Sequence, residues 1–235
     1  MSAAHALLEG LIDHAPLFPP ASLPLEEALE DHRRALASRH AWMVARFVCP
    51  ASRLGELGSE PLRLSVVMDR PVDALLADER IEALEGRDPE LVRAGKETYV
   101  EVPPEADVVG IREAGARAKV RCGPDAPTVE ALAAFIRRCR SEGLVFKATA
   151  GLHHAVRSSG QHGFLNLLAA AVFADEERAL AEENADAFSL GTTFRWRDRE
   201  AGAQEVALAR HTFFASIGSC SFTEPVEELE GLGFL

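Results

Sequence analysis

The chain has 235 residues, 47% of them apolar, a formal charge of −12 and four cysteines. That length and apolar content support a substantial core, in one large domain or two small ones. The negative balance argues against nucleic acid or an anionic membrane as the main partner and leaves room for a local basic pocket. Cys49, Cys122, Cys139 and Cys220 are scattered without a Cys-x-x-Cys pair, so neither a disulfide framework nor a zinc finger is indicated, and a reducing cytoplasm is the expected setting. Residues 1–13 carry Glu9 and Asp13 and no basic segment, unlike a signal peptide. The apolar stretch 165–174 is about half the length of a membrane span.

In chain order, Leu11-Ile12 is the first strand candidate. It runs into Asp13-His14 and a proline-rich loop, residues 16–24. A polar helix is predicted over 25–37, a strand over 42–49, and a short helix near Leu54. Residues 62–68 read as a strand ending at Asp69, and Pro71 opens a helix, where proline is tolerated in the first turn. Residues 97–102 form another strand, stopped by Pro103-Pro104. Residues 116–122 are a strand, Thr128 is a plausible N-cap for a helix over 129–142, and Gly143 ends that helix. Its apolar face is Ala131, Leu132, Phe135, Ile136 and Cys139. Residues 144–150 are the next strand. Repeated βα units argue for a parallel sheet, and their number, roughly eight, favours a single TIM-like (β/α)8 barrel over residues 1–235. The pattern loosens after Gly151. A buried helix is expected over 163–175, and residues 179–187 either continue it or form a second helix. Residues 188–197 are either a strand or an exposed hairpin with Arg195, Trp196 and Arg197. Residues 204–216 hold either a helix or a last strand at 212–217, so the final two units are irregular and strand eight is not fixed.

The most informative run is Val145-Phe146-Lys147-Ala148-Thr149-Ala150-Gly151, followed by Leu152-His153-His154. It places a lysine in an apolar strand, where burial disfavours the charged form. Side chains alternate along a strand, so Lys147 shares a face with Thr149, and in the preceding unit Lys119 shares one with Arg121. Adjacent βα units make Lys119 and Lys147 neighbours if both faces point into the barrel. A second ammonium would lower the Lys147 pKa from its reference of about 10.4 and make it a nucleophile. Strand-end lysines turned to solvent are the alternative. Gly218, Ser219 and Ser221 lie in a small-residue loop before a helix near Pro225, a shape that either cradles phosphate or is a plain capped turn. His153, His154 and His162 lack the companion ligands of a metal site, so His153 and His154 are taken as substrate-contacting residues. Asp13 and Asp69, at predicted strand ends, are acid/base candidates, with Glu101 and Arg46 weaker ones.

Four of these pieces occur in the order found in deoxyribose-phosphate aldolases. Leu11-Ile12-Asp13-His14 resembles that family's opening strand, and Ala118-Lys119-Val120 with its helix resembles the Lys-Val strand and helix. Phe146-Lys147-Ala148-Thr149-Ala150-Gly151 is similar to the Schiff-base lysine motif, and Ile217-Gly218-Ser219-Cys220-Ser221 to the phosphate loop. The run from Lys147 to His154 also resembles a bacterial protein family with the same Lys-Ala-Thr-Ala-Gly-Leu-His-His sequence. The aldolase resemblance implies a TIM barrel, class I aldol chemistry without metal or organic cofactor, Lys147 as nucleophile, Lys119 beside it, and Asp13 as a polar neighbour. The chain departs from that family in having no lysine between Ala174 and Ile217 and in having Ala148 after the lysine.

The reading that results is a Schiff-base lyase acting on a small carbonyl compound, phosphorylated or not. Lys147 attacks, Asp13 or Asp69 moves protons, and Arg121, Thr149 and the 218–221 loop bind an anionic group. The alternatives are a non-covalent isomerase-type barrel, or a degenerate barrel that binds an anionic metabolite through Lys119, Arg121 and Lys147. The partner expected is a small anionic metabolite, with room left for a homo-oligomer.

Overall fold

The computed structural model describes residues 1–71, 77–88, 92, 95–123 and 125–235. In chain order the strands are β1 (Ile12–His14), β2 (Val44–Pro50), β3 (Leu64–Val67), β4 (Ile81–Gly86), β5 (Glu97–Glu101), β6 (Arg117–Arg121) and β7 (Phe146–Thr149). They are followed by β8 (Phe188–Leu190), β9 (Phe194–Trp196), β10 (Arg199–Ala201) and β11 (Phe214–Ser219). Strands β1 to β7 lie side by side in sequence order, and β11 closes the ring between β7 and β1. Every pairing in this ring is parallel. The architecture is a (β/α)8 barrel.

The helices are α1 (Ala3–Leu8), α2 (Leu25–Ala37), α3 (Val109–Glu113), α4 (Val129–Ser141), α5 (Phe164–Phe173), α6 (Glu176–Leu180), α7 (Ala203–Thr212) and α8 (Thr223–Gly231). Helix α2 starts after Pro24, carries Glu26 and Glu27 in its first turn, and buries Ala28, His32 and Ala35, spaced four and three residues apart. Helix α4 is capped as its sequence predicts: the Thr128 hydroxyl accepts from the Ala131 N–H at 3.2 Å. Arg138 and Arg140 occupy its last turn, and Gly143 beyond it is left-handed at φ +60°. Among the described residues no helix is long and apolar enough to cross a membrane.

Several elements read differently from the sequence: α1 and α3 stand where no helix is expected, and the helical stretch expected over 179–187 is α6 followed by a 3-10 turn at Ala185–Ala187. Strand β4 falls where no strand was predicted. In the last part of the chain, the helix and the strand expected as alternatives both exist, as α7 and β11, and Phe213 separates them. The long connection from β7 to β11 also holds a small antiparallel sheet, β8–β9–β10, with Phe194 and Trp196 buried. The predicted helix opening at Pro71 lies outside the described residues.

Alternation sorts the strand side chains. In β7, Phe146 faces outward, with its ring 5.7 Å from Phe135 of α4, 5.1 Å from Phe213 and 4.9 Å from Phe214. Lys147 therefore faces inward. In β1, His14 faces outward, its Nδ1 3.2 Å from His32 Nδ1 of α2, and burial lowers both histidines to about 4. Asp13 consequently faces inward. An apolar shell between strands and helices holds the barrel together, and a second, smaller cluster around Phe47, Leu64, Val66 and Leu84 lies under α2. Because Phe146 is fully buried at the centre of an aromatic cluster, Phe146→Ala is expected to lower the unfolding free energy in urea by about 3–5 kcal/mol. A loss under about 1 kcal/mol would show that the cluster contributes little.

Candidate active site

Seven of the eight barrel strands send polar or charged side chains inward to one cluster. Lys147 is 1% exposed. Its Nζ donates to Asp13 Oδ2, on the neighbouring side of the barrel, and to Glu85 Oε1 at 2.8 Å. Asp13 Oδ2 also accepts from the Ser216 hydroxyl at 2.6 Å, and Glu85 Oε1 from the Ser65 hydroxyl at 2.6 Å. The second Glu85 oxygen pairs with Lys119 Nζ at 2.8 Å, and Lys119 reaches Glu101 Oε2 at 3.0 Å. The Tyr99 ring lies under the Lys147 ammonium, 5.2 Å from centroid to nitrogen. Asp13 Oδ1 is buried with no hydrogen-bond partner among the described residues.

The register places Lys119 directly beside Lys147 as Cα partners, as expected from adjacent units. The electrostatic expectation drawn from that neighbourhood is overturned. Glu85 lies between the two ammonium groups and gives one oxygen to each. Burial disfavours the Lys147 charge, but Asp13 and then Glu85 outweigh it and hold the amine above its ordinary pKa. Burial likewise opposes ionisation of Glu85, but Lys119 and Lys147 keep its carboxyl well below the usual range. Lys147 therefore rests as an ammonium, and its nucleophilic form requires transfer of a proton to a neighbour.

The cluster forms the floor of a cavity of about 400 Å³ at the C-terminal ends of the strands, where Lys147, Glu85 and Lys119 line it. This is the end at which barrel enzymes carry their active sites. Arg87, Glu101 and Arg121 stand at the charged side of the mouth, and Phe18 and Cys220, from the exits of β1 and β11, on the opposite, more apolar side. Thr149 and Gly218 also line it. A Cβ on Gly218 would fall 2.5 Å from Thr149 Oγ1, so glycine is required for these two strands to meet there. Past Thr149 the chain turns through left-handed Ala150 and Gly151, and a Cβ on Gly151 would lie 2.9 Å from the Cys122 carbonyl. The Ala-Gly after the lysine strand is therefore set by the close passage of two strand exits.

The structure brings Lys119, Arg121, Lys147, Thr149 and Gly218 together around this cavity, with Asp13 buried behind Lys147. It does not bring Asp69, His153 or His154 there. The Asp69 carboxylate accepts from the Ser52 N–H at 2.9 Å and from the Ser52 hydroxyl, tying the exits of β3 and β2 together. His153 and His154 turn to α8, where they meet Glu224 at 2.6 Å and Glu228 at 3.0 Å. Ser219 and Ser221 are engaged within their own loop: Ser219 Oγ donates to the Ser221 carbonyl at 2.7 Å, and Ser221 Oγ accepts from the Glu224 N–H at 3.1 Å. Glu85, Ser65, Tyr99 and Ser216 were not singled out from the sequence. For Glu85 a signal existed: a barrel of eight needs a strand between Asp69 and Glu97, and Ile81-Glu82-Ala83-Leu84-Glu85-Gly86 ends in glycine.

No protein-family model and no curated protein matches the chain. Among solved structures it is similar to the deoxyribose phosphate aldolase of Aeropyrum pernix, described as a tetramer, with 15% identity, coverage of 98% of this chain and 97% of that one, and a TM-score of 0.39.

The depressed Glu85 pKa fixes a sign for acid stability. Its contribution is present above the unfolded value of about 4.3 and is lost as pH falls toward the folded value. Glu85→Gln is expected to cost about 3–5 kcal/mol at neutral pH, because it leaves two ammonium groups short of a partner. Thermal melts below pH 4.5 should then fall less steeply with pH in the variant, while equal acid slopes in the two proteins would contradict the assignment.

Proposed function

We propose that this barrel is a Schiff-base lyase acting on a small carbonyl compound, with Lys147 as nucleophile. The observation that carries the reading is a lysine amine on the floor of an open cavity, held between two carboxylates from different strands, Asp13 and Glu85. Such an amine has a proton acceptor on each side. In this scheme the Lys147 ammonium gives a proton to Asp13, whose Oδ1 has no competing partner among the described residues. The neutral amine adds to the carbonyl carbon, and the carbinolamine oxygen takes up a proton and leaves as water, forming a cationic iminium. The iminium nitrogen draws in the electron pair of the carbon–carbon bond one atom removed. That bond breaks as the β-hydroxyl loses its proton to a carboxylate. The resulting enamine is protonated and hydrolysed, which restores Lys147. Glu85 and Tyr99 stabilise positive charge at the nitrogen throughout, and Lys119 keeps Glu85 ionised.

A second reading is favoured by the same ion pairs. An amine held firmly in its charged form serves a non-covalent enzyme well, stabilising negative charge that develops on a bound metabolite, as in an isomerase. The two readings separate cleanly. Incubation with small aldehydes and ketones followed by borohydride reduction is expected to leave a stable adduct on the Lys147 peptide, located by mass spectrometry and absent in Lys147→Met. Asp13→Asn is expected to slow the trapping by roughly a hundredfold or more, the scale of general acid–base catalysis. Absence of any reducible adduct, in protein shown to be folded, would remove the covalent mechanism and leave the non-covalent one.

A further inference from the structure

Two arginines at the cavity mouth take no part in the covalent steps proposed above. Arg121 ends β6, and Arg87 follows Gly86 at the end of β4. Both line the cavity, and both also line an adjoining cleft of about 360 Å³ that reaches outward to Asp125. Their side chains are 85% and 52% exposed for Arg87 and Arg121 respectively. Both lean on Glu101, but loosely. Arg87 Nη2 is 3.5 Å from Glu101 Oε1, and Arg121 Nη1 is 3.9 Å from Oε2, the oxygen that Lys119 already holds at 3.0 Å. A guanidinium presents a fork of N–H donors matched to a carboxylate through two parallel bonds. Contacts this long leave most of that capacity unused by the described residues.

The charges around the cavity point the same way. Four cations, Arg87, Lys119, Arg121 and Lys147, line the cavity against two carboxylates, Glu85 and Glu101. The lining of the cavity thus carries more cations than carboxylates. The 218–221 loop is the poorer seat for an anion, since both of its serine hydroxyls are already bonded within the loop and to the start of α8.

We propose that the substrate is a short-chain oxo acid, its carboxylate seated between Arg87 and Arg121 and its carbonyl directed to Lys147. The register sets the span. Arg121 pairs with Thr149 and Lys119 with Lys147, so Arg121 lies two residues, roughly 6.6 Å, nearer the mouth than the nucleophile. The position of the carbonyl end rests on the Schiff-base reading; the anion seat does not.

The test compares borohydride trapping of levulinate with that of methyl levulinate, which differs in lacking the charge. Levulinate is expected to be trapped at least tenfold faster at low concentration, and this preference is expected to collapse in Arg121→Gln and, independently, in Arg87→Gln. Equal trapping of acid and ester by the unaltered protein overturns the proposal, as does a preference that survives in both variants. Dihydroxyacetone phosphate against dihydroxyacetone forms the second arm, and a larger preference there than for the carboxylate pair overturns the carboxylate assignment in favour of phosphate. Pentanoate, a monoanion of the same chain length with no ketone to trap, is titrated by calorimetry. Its binding to the unaltered protein, weakened at least tenfold in either arginine variant, supports the anion seat even where no carbonyl compound is trapped, and in that case only the Schiff-base reading falls. If pentanoate shows no binding and levulinate no advantage, the anion seat is overturned whatever the neutral ketones do.

Discussion

The structure depends on one run of alternating charges through the barrel centre: Asp13, Lys147, Glu85, Lys119, Glu101. Each of these groups is costly to take out of water, and each is tolerated because a partner of opposite sign stands on either side of it, or on one side at the ends. The chain of pairs crosses strands β1, β7, β4, β6 and β5. A slip of one residue in any of them would turn a charge into the apolar shell and leave its partner unpaired. Barrel interiors are commonly filled by branched apolar side chains. Here the polar character continues below the cluster, where Arg46 meets Glu97 at 2.7 Å, and Tyr99 accepts from Arg117 and donates to Glu97, both at 3.0 Å. Apolar stabilisation is therefore concentrated outside the strands, in the shell built around residues such as Phe146 and Phe47.

This division explains what the sequence made legible. Residues that obey alternation in apolar strands, such as Lys147 between Phe146 and Ala148, stand out because the inward charge contrasts with its outward neighbours. Helices with side-chain caps and regular apolar faces, such as α4, are equally plain, and the capping hydroxyl of Thr128 is where the sequence puts it. Glu85 was hidden for the opposite reason. In Ile81-Glu82-Ala83-Leu84-Glu85-Gly86 the two glutamates stand three residues apart, out of step with strand alternation, and a bulge in the pairing of β3 with β4 breaks the strict period of two. The sign of the effect on Lys147 was likewise invisible, because it depends on a carboxylate placed between two lysines by a strand that local pattern does not reveal. His153 and His154 show the reverse error. Nearness in sequence to the lysine suggested a shared pocket, but the left-handed turn at Ala150 and Gly151 sends the following loop to α8 instead.

The cavity mouth is asymmetric in a way that follows from the strand order. Arg87, Glu101 and Arg121 all come from the exits of β4, β5 and β6, three neighbouring strands. Phe18 and Pro19, on the loop after β1, and Cys220, after β11, face them from the far side. A ligand entering this cavity meets a charged wall and an apolar wall, and the reactive amine lies beneath both.

The ring is closed by strands from opposite ends of the sequence, with β1 hydrogen-bonded to β11. The Ser216 hydroxyl that steadies Asp13 lies 203 residues away along the chain, and Lys147 is 134 residues from the same carboxylate. Contacts this distant are slow to form, because loop entropy is lost before the pairing repays it. Until β1 and β11 have joined, Lys147 lacks the carboxylate of Asp13. An open, seven-stranded intermediate would thus hold an under-compensated ammonium in its interior. That penalty destabilises half-built barrels relative to the closed one, so the group suited to chemistry in the finished fold also makes its assembly more nearly all-or-none.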